Sequence, residues 1–437
     1  MRTFPSGTAL AAPRPGSAPG AVLPNAWAGL SYGALGFPLA FLALPLYVAL
    51  PGHYAVNFGM SLTTLGIVLL ATRALDALAD PFIGRAVDRV LARSVRWAWW
   101  LGAFAAVVIA AGFAALFFPQ VGANDTPALL GWLIAGLLLT YIAFSVLTVI
   151  HQAWGARLGG NSLERSRVVA WREGCGLFGV LAAAVLPSQV GMGAASAVLA
   201  ATLGAAMLLL AVAPSAASRG GPAPGHWALP WRSPRFRSLL TVFMLNGIAS
   251  AVPATLVLFF VRDRLQAPDS EALFLGVYFA AAALSIPLWV RAVRGWGLAR
   301  AWLGAMGLAV GSFAWVLTLG AGDSAGFVAV CIGSGIALGA DLTIPGALLT
   351  GVIQRSGHGA AAEGVYVGWW NSATKLNLGL AAGAALPLLA LAGYEPGQRD
   401  APALLALSLA YVAVPCALKL IAAALLWRGW IMTKEAE

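Results

Sequence analysis

Long apolar stretches and short polar ones alternate along almost the whole chain. A helix needs roughly 20 apolar residues to cross about 30 Å of hydrocarbon, and about twelve stretches of that length can be read here. They lie near 25–50, 58–83, 97–118, 128–150, 173–190, 194–213, 238–261, 271–290, 301–321, 324–350, 363–391 and 403–430. Between them stand short runs rich in Gly, Pro or Arg. The pattern predicts an all-α membrane protein with twelve transmembrane helices. The first stretch contains Gly33, Gly36, Pro38 and Pro45, small or helix-bending residues that permit close helix contact and local irregularity.

The second stretch breaks the rule that spans are uncharged. LATRALDALADPFIGRAVDR carries Arg73, Asp76 and Asp80 at i, i+3 and i+7, so the three side chains share one helix face. A charge at the bilayer centre costs at least about 2.5–3.5 kcal/mol, so that face must look into the bundle or into a watery cavity. Lys375 and Lys419 are further cations inside spans, and Asp341 is an acid inside one, between Gly339 and Pro345.

Composition narrows the class. Of 437 residues, 60% are hydrophobic and only 10% charged, and the mean hydropathy is +0.84, which excludes a soluble globular domain. The net charge of +10 points to topology and not to nucleic acid. Arg and Lys crowd alternate loops, whereas Arg262, Arg264 and Arg399 alone lie on loops of the other parity. The expectation is a multi-pass protein of the bacterial cytoplasmic (inner) membrane with both termini in the cytoplasm. Residues 1–24 lack an apolar run and read as a disordered tail, and 431–437 as a second tail. The Pro/Gly-rich segment 215–237 near mid-chain reads as a cytoplasmic linker between six-helix halves 25–214 and 238–430. A basic loop, VRAVRGWGLARAW, stands in the second half where GRAVDRVLARSVR stands in the first, as two parallel repeats would require.

The three cysteines fall inside spans and suggest neither a disulfide framework nor a zinc site. No GxxxxGK[ST] or HExxH motif occurs, so neither ATP-driven transport nor a metal enzyme is expected, and no cofactor is called for.

Three segments resemble one family. RALDALADPFIGRAVDR, with two acids four residues apart before Pro and a basic loop, is similar to the second-helix signature of the glycoside-pentoside-hexuronide:cation symporters, the melibiose permease branch of the major facilitator superfamily. ERSRVVAWREGCGLFG resembles its fourth-to-fifth helix connection, and EGVYVGWWNSATKLNLGLA its eleventh helix. The resemblance implies a major facilitator fold that alternates between inward-open and outward-open states and moves a sugar-like solute with Na⁺ or H⁺. It implies that Asp76 and Asp80 sit at the cation site, as metal ligands if the ion is sodium, with Lys375 beside them and Arg172 near the sugar. The chain departs from the family pattern at four positions: Pro38 and Val149 stand where the family has acids in helices one and four, and Gly351 and Gln354 where acids follow helix ten.

The residues themselves add detail. Two carboxylates one turn apart can ligate Na⁺ or trade a proton, or with Arg73 and Lys375 they can simply lock the bundle. An Arg172 fork suits hydroxyl or carboxylate groups, with interfacial snorkelling as the alternative. Asp341 is read as contacting solute or proton, or as pairing with Arg73 or Lys375. The expected solute-binding set is Arg73, Arg172, Asp341, Trp370, Asn371 and Lys375, the Trp370 indole by stacking on a ring, with a place in an interfacial aromatic belt as its alternative. Asp88 and Arg89, at the membrane edge, are read as gating residues. His151 is read as a polar interfacial residue, and Lys419 receives no role. A small solute, a coupling cation and lipid are the expected partners, for a monomer. An exporter or lipid-linked flippase of the same fold, or a membrane receptor or assembly protein without transport, remains the alternative.

Overall fold

The computed structural model describes residues 23, 25–60, 62–122, 125–214, 226–357, 362–391, 393–394 and 400–432. Nine helices among them are long and apolar enough to cross a membrane: α1 (Ala26–Leu44), α3 (Val95–Phe117), α4 (Thr126–Leu158), α5 (Ser162–Pro187), α6 (Gln189–Val212), α7 (Pro234–Arg264), α8 (Pro268–Trp296), α10 (Ser324–Arg355) and α12 (Ala401–Ile431). Three more long helices, α2 (Leu62–Arg93), α9 (Leu298–Val316) and α11 (Glu363–Leu391), bring the bundle to twelve. The intramembrane charges that single out α2 and α11 are those that mark the site below.

Loop chemistry starts the helices. Ser94, Asp125, Ser233 and Asp400 each accept a hydrogen bond from a first-turn N–H of α3, α4, α7 and α12, and Asn161 and Glu164 form a reciprocal capping box at α5. Beyond α1 the chain passes through a π-helical turn, Pro45–Ala49, into a further helix, Leu50–Phe58, which is the irregularity its prolines predict. The expected tail 1–24 lies outside the described residues apart from Leu23, as do 433–437 and linker residues 215–225. The rest of the linker is ordered against the bundle: Leu229–Arg232 forms a 3₁₀ turn, and the Trp227 ring lies between Phe82 and Trp369. Helix α7 accordingly begins at Pro234, four residues before the boundary read from hydropathy, because Ser233 caps it.

Large apolar side chains point outward, as they do where lipid replaces water. On α2, Ile67, Leu70, Leu78 and Phe82 are exposed at helical spacing, while Thr72, Asp76, Asp80 and Asp88 on the opposite face are buried. With no hydrophobic drive between helices in lipid, association relies on close van der Waals packing through small residues. Helices α2 and α11 cross closely where Gly84 meets Gly364; a Cβ on either would overlap the other's carbonyl oxygen. Helix α1 lies as close on α5, the Gly36 Cα facing the Arg172 carbonyl.

Candidate transport site

The crossing of α2 and α11 brings four charges together. Lys375 of α11 reaches between the α2 carboxylates, with Nζ 2.8 Å from Asp76 Oδ2 and 2.7 Å from Asp80 Oδ2. Both acids are fully enclosed at the side chain. Ser145 of α4 donates to Asp76 Oδ1 at 2.7 Å and accepts from Lys375 at 2.9 Å. Arg73 lies 3.4 Å from Asp76 and over the Tyr141 ring, 5.3 Å from its centroid. Ser372 of α11 donates to the Ala77 carbonyl at 2.7 Å, pinning the two helices in register. The cluster carries two negative and two positive groups, so it is neutral as it stands. An added cation would face Lys375 about 4 Å away, a repulsion of about 4 kcal/mol at an effective dielectric of 20, unless the lysine lets go.

A cavity of about 210 Å³ is bounded by α1, α4, α5, α7, α10 and α11 and reaches Asn371 and Thr374, on the helical turn before Lys375. Its polar lining includes Tyr32, Gln152, Arg172, Glu173, Asp341 and Asn371. Arg172 is held by its neighbour Glu173, Nη2 to Oε1 at 2.6 Å, and both remain partly exposed to the cavity. Trp370 also lines it, but one indole face is covered by Phe243, stacked at 3.8 Å between ring centroids. Arg73 and Lys375 belong to the charge cluster and are not among the lining residues.

Asp341 has neither Arg73 nor Lys375 as its partner in the structure. Its Oδ2 lies 3.0 Å from Lys419 Nζ of α12 and its Oδ1 accepts from Trp302 Nε1 of α9 at 2.8 Å, while Lys419 also donates to Asn246 of α7 at 2.8 Å. Geometry decides the pairing, since the Asp341 carboxylate meets side chains of α9 and α12, on its own side of the chain's midpoint. Lys419, which sequence left without a role, is thereby the buried counter-ion of a second charged centre. His151 is buried instead of interfacial: its Nε2 sits 2.8 Å from the Tyr32 carbonyl, and the Tyr32 hydroxyl donates to the His151 carbonyl.

Towards the arginine-rich end, Asp88 closes the same two helices. It lies two turns beyond Asp80, about 12 Å along the axis at 1.5 Å per residue. Its carboxylate accepts the first-turn N–H groups of Gly364 (2.7 Å) and Val365 (2.9 Å), capping α11. Arg157 at the end of α4 lies 3.7 Å from Asp88 and 3.2 Å from Glu363. Arg165 at the start of α5 donates to Gln354 of α10 at 3.1 Å. Arg89 is exposed on the far face of α2, outside this latch. Neither Arg157 nor Ser145 stands out in the sequence; the first looks like one more topological arginine, and the second is a lone hydroxyl in an apolar span.

The fold and these centres define a transporter of the major facilitator class. The family described as MFS/sugar transport protein matches residues 29–432, and the chain belongs to it. Over 121 residues it is 36% identical to a relative named uncharacterized symporter YnaJ of Bacillus subtilis (strain 168), a match spanning 27% of this chain and 24% of that one. Among solved structures it is similar to a bacterial homologue of the iron transporter ferroportin in an outward-facing state (TM-score 0.70, 16% identity, 92% of this chain and 99% of the other). It is also similar to the major facilitator transporter FucP in the outward conformation (TM-score 0.65, 15% identity, 92% and 99%) and to the proton:xylose symporter XylE (TM-score 0.63, 13% identity, 92% and 94%). At these identities the structural likeness speaks for the fold. The chain is a transporter and not an enzyme.

Proposed function

We propose that the protein is a cation-coupled symporter of a sugar-like solute, working by alternating access as a monomer with no cofactor beyond its coupling ion. The reading rests on the placement of Lys375 between Asp76 and Asp80, on opposite sides of the α2–α11 crossing. Na⁺ or H⁺ arriving at the carboxylates displaces Lys375, frees α11 from α2, and changes the adjoining cavity in the same step. Arg172, Glu173, Asn371 and the open edge of Trp370 then offer the solute hydrogen bonds and an apolar face. The halves 25–214 and 238–430 rock about this crossing, with both termini and the Asp88 latch on the cytoplasmic side of the inner membrane. The symporter name of the Bacillus relative and the sugar symporters of like fold agree with this reading.

The test is a thermal-stability screen of the purified chain against mono- and disaccharides, with and without Na⁺ and at two pH values. A sugar whose stabilisation depends on one cation in the wild type, and no longer does so in Asp80→Asn, is the expected result. Stabilisation equal under all cation conditions would remove the coupling claim, and no response to any sugar would remove the solute class.

A further inference from the structure

A second cavity, of about 220 Å³, lies wholly among α7, α8, α9, α10 and α12 and has a mainly apolar wall to which the rings of Phe274, Phe279, Phe313 and Phe327 contribute. Its polar end is formed by Asp341 and Lys419, the buried ion pair described above. Asp341 is a lining residue of this cavity and of the central one alike, so the two lie on either side of it. An apolar cavity of about 150 Å³ takes a benzene molecule, so the space suits a group of one to two rings. Ligand sites are typically apolar with a few placed polar groups, and the two cavities together have that character: polar at Arg172 and Asn371, apolar beyond Asp341.

We infer that the transported solute is amphipathic, with a hydroxyl-bearing head in the Arg172–Asn371 cavity and a ring-sized apolar group in the aromatic cavity beyond Asp341. The inference rests on the symport reading and names its substrate class more narrowly. Because the aromatic cavity is built from helices of 238–430 alone, the apolar group travels with that half while the head faces the interface. Lys419, held by Asp341 and Asn246, keeps the carboxylate neutralised where the apolar group passes it.

Calorimetric titration of the purified full chain with paired phenyl and methyl β-glycosides of glucose, galactose and xylose tests this. For the sugar that binds, the phenyl glycoside is expected to bind at least tenfold more tightly than the methyl one. Filling the cavity with Ala254→Phe, at an exposed wall position, or Cys331→Phe, at a buried one, should cut that ratio below threefold while leaving methyl-glycoside affinity unchanged. Equal affinity of the two glycosides in the wild type, or an advantage that survives both variants, would overturn the inference and leave symport standing. Loss of methyl-glycoside binding together with the phenyl advantage would assign the effect to the head's site and also count against it. Binding of no glycoside at all would instead overturn the sugar-like solute, and the inference with it.

Discussion

Lys375 holds two buried carboxylates at once, and its removal leaves both charges enclosed without their shared partner. Breaking a buried ion pair by deleting one member costs about 3–5 kcal/mol, whereas replacing the whole network with neutral groups is often nearly free. Lys375→Leu should therefore unfold well below the wild type, and adding Asp76→Asn and Asp80→Asn should recover most of the loss; melting curves in detergent measure it. Equal melting of the single and triple variants would mean that the charges are not coupled. The same logic applies to Asp341 and Lys419, where Asp341→Asn strands a buried ammonium. Individual charges of this kind were legible because an Arg, two Asp and a Lys inside apolar stretches are anomalies at any reading. Their partners were not. Ser145, Asn246 and Trp302 are ordinary residues in apolar runs, and only the packing of α4, α7 and α9 turns them towards a charge.

Between helices, the α2–α11 crossing joins the charge cluster to the latch. Asp88 makes two hydrogen bonds to the start of α11, each of the charged kind that contributes about 1.5–3 kcal/mol. Asp88→Asn should weaken the closure, since 1.4 kcal/mol is already a tenfold shift between states. A cysteine placed at Gln152, which lines the central cavity, in a background without native cysteines should then be alkylated at least tenfold faster by a reagent supplied from the arginine-rich side. An unchanged rate would detach Asp88 from gating. Gly84→Val should disturb the same crossing by steric overlap with the Gly364 carbonyl, lowering the melting temperature and raising that alkylation rate together. Helix existence could be read from hydropathy because apolar length is set by bilayer thickness. That α11 meets α2 was implied by the resemblance, which sets Lys375 beside Asp76 and Asp80; the register of the crossing was not, because nothing in either sequence alone says which glycine meets which.

At the scale of the molecule there are two neutral charge centres: Asp76, Asp80, Arg73 and Lys375 across the α2–α11 crossing, and Asp341 with Lys419 inside 238–430. The first joins α2, from the first half of the chain, to α11, from the second, whereas the second lies wholly on helices of 238–430. On the proposed reading, cation coupling therefore belongs to the first centre. It is tested most directly by solute uptake into proteoliposomes under an imposed Na⁺ or H⁺ gradient, with the sugar that the stability screen selects. Accumulation above equilibrium with one of the two gradients is expected in the wild type, and in Asp80→Asn no accumulation although solute still exchanges across the membrane. Accumulation by Asp80→Asn at the wild-type level, or wild-type flux indifferent to both gradients, would contradict it.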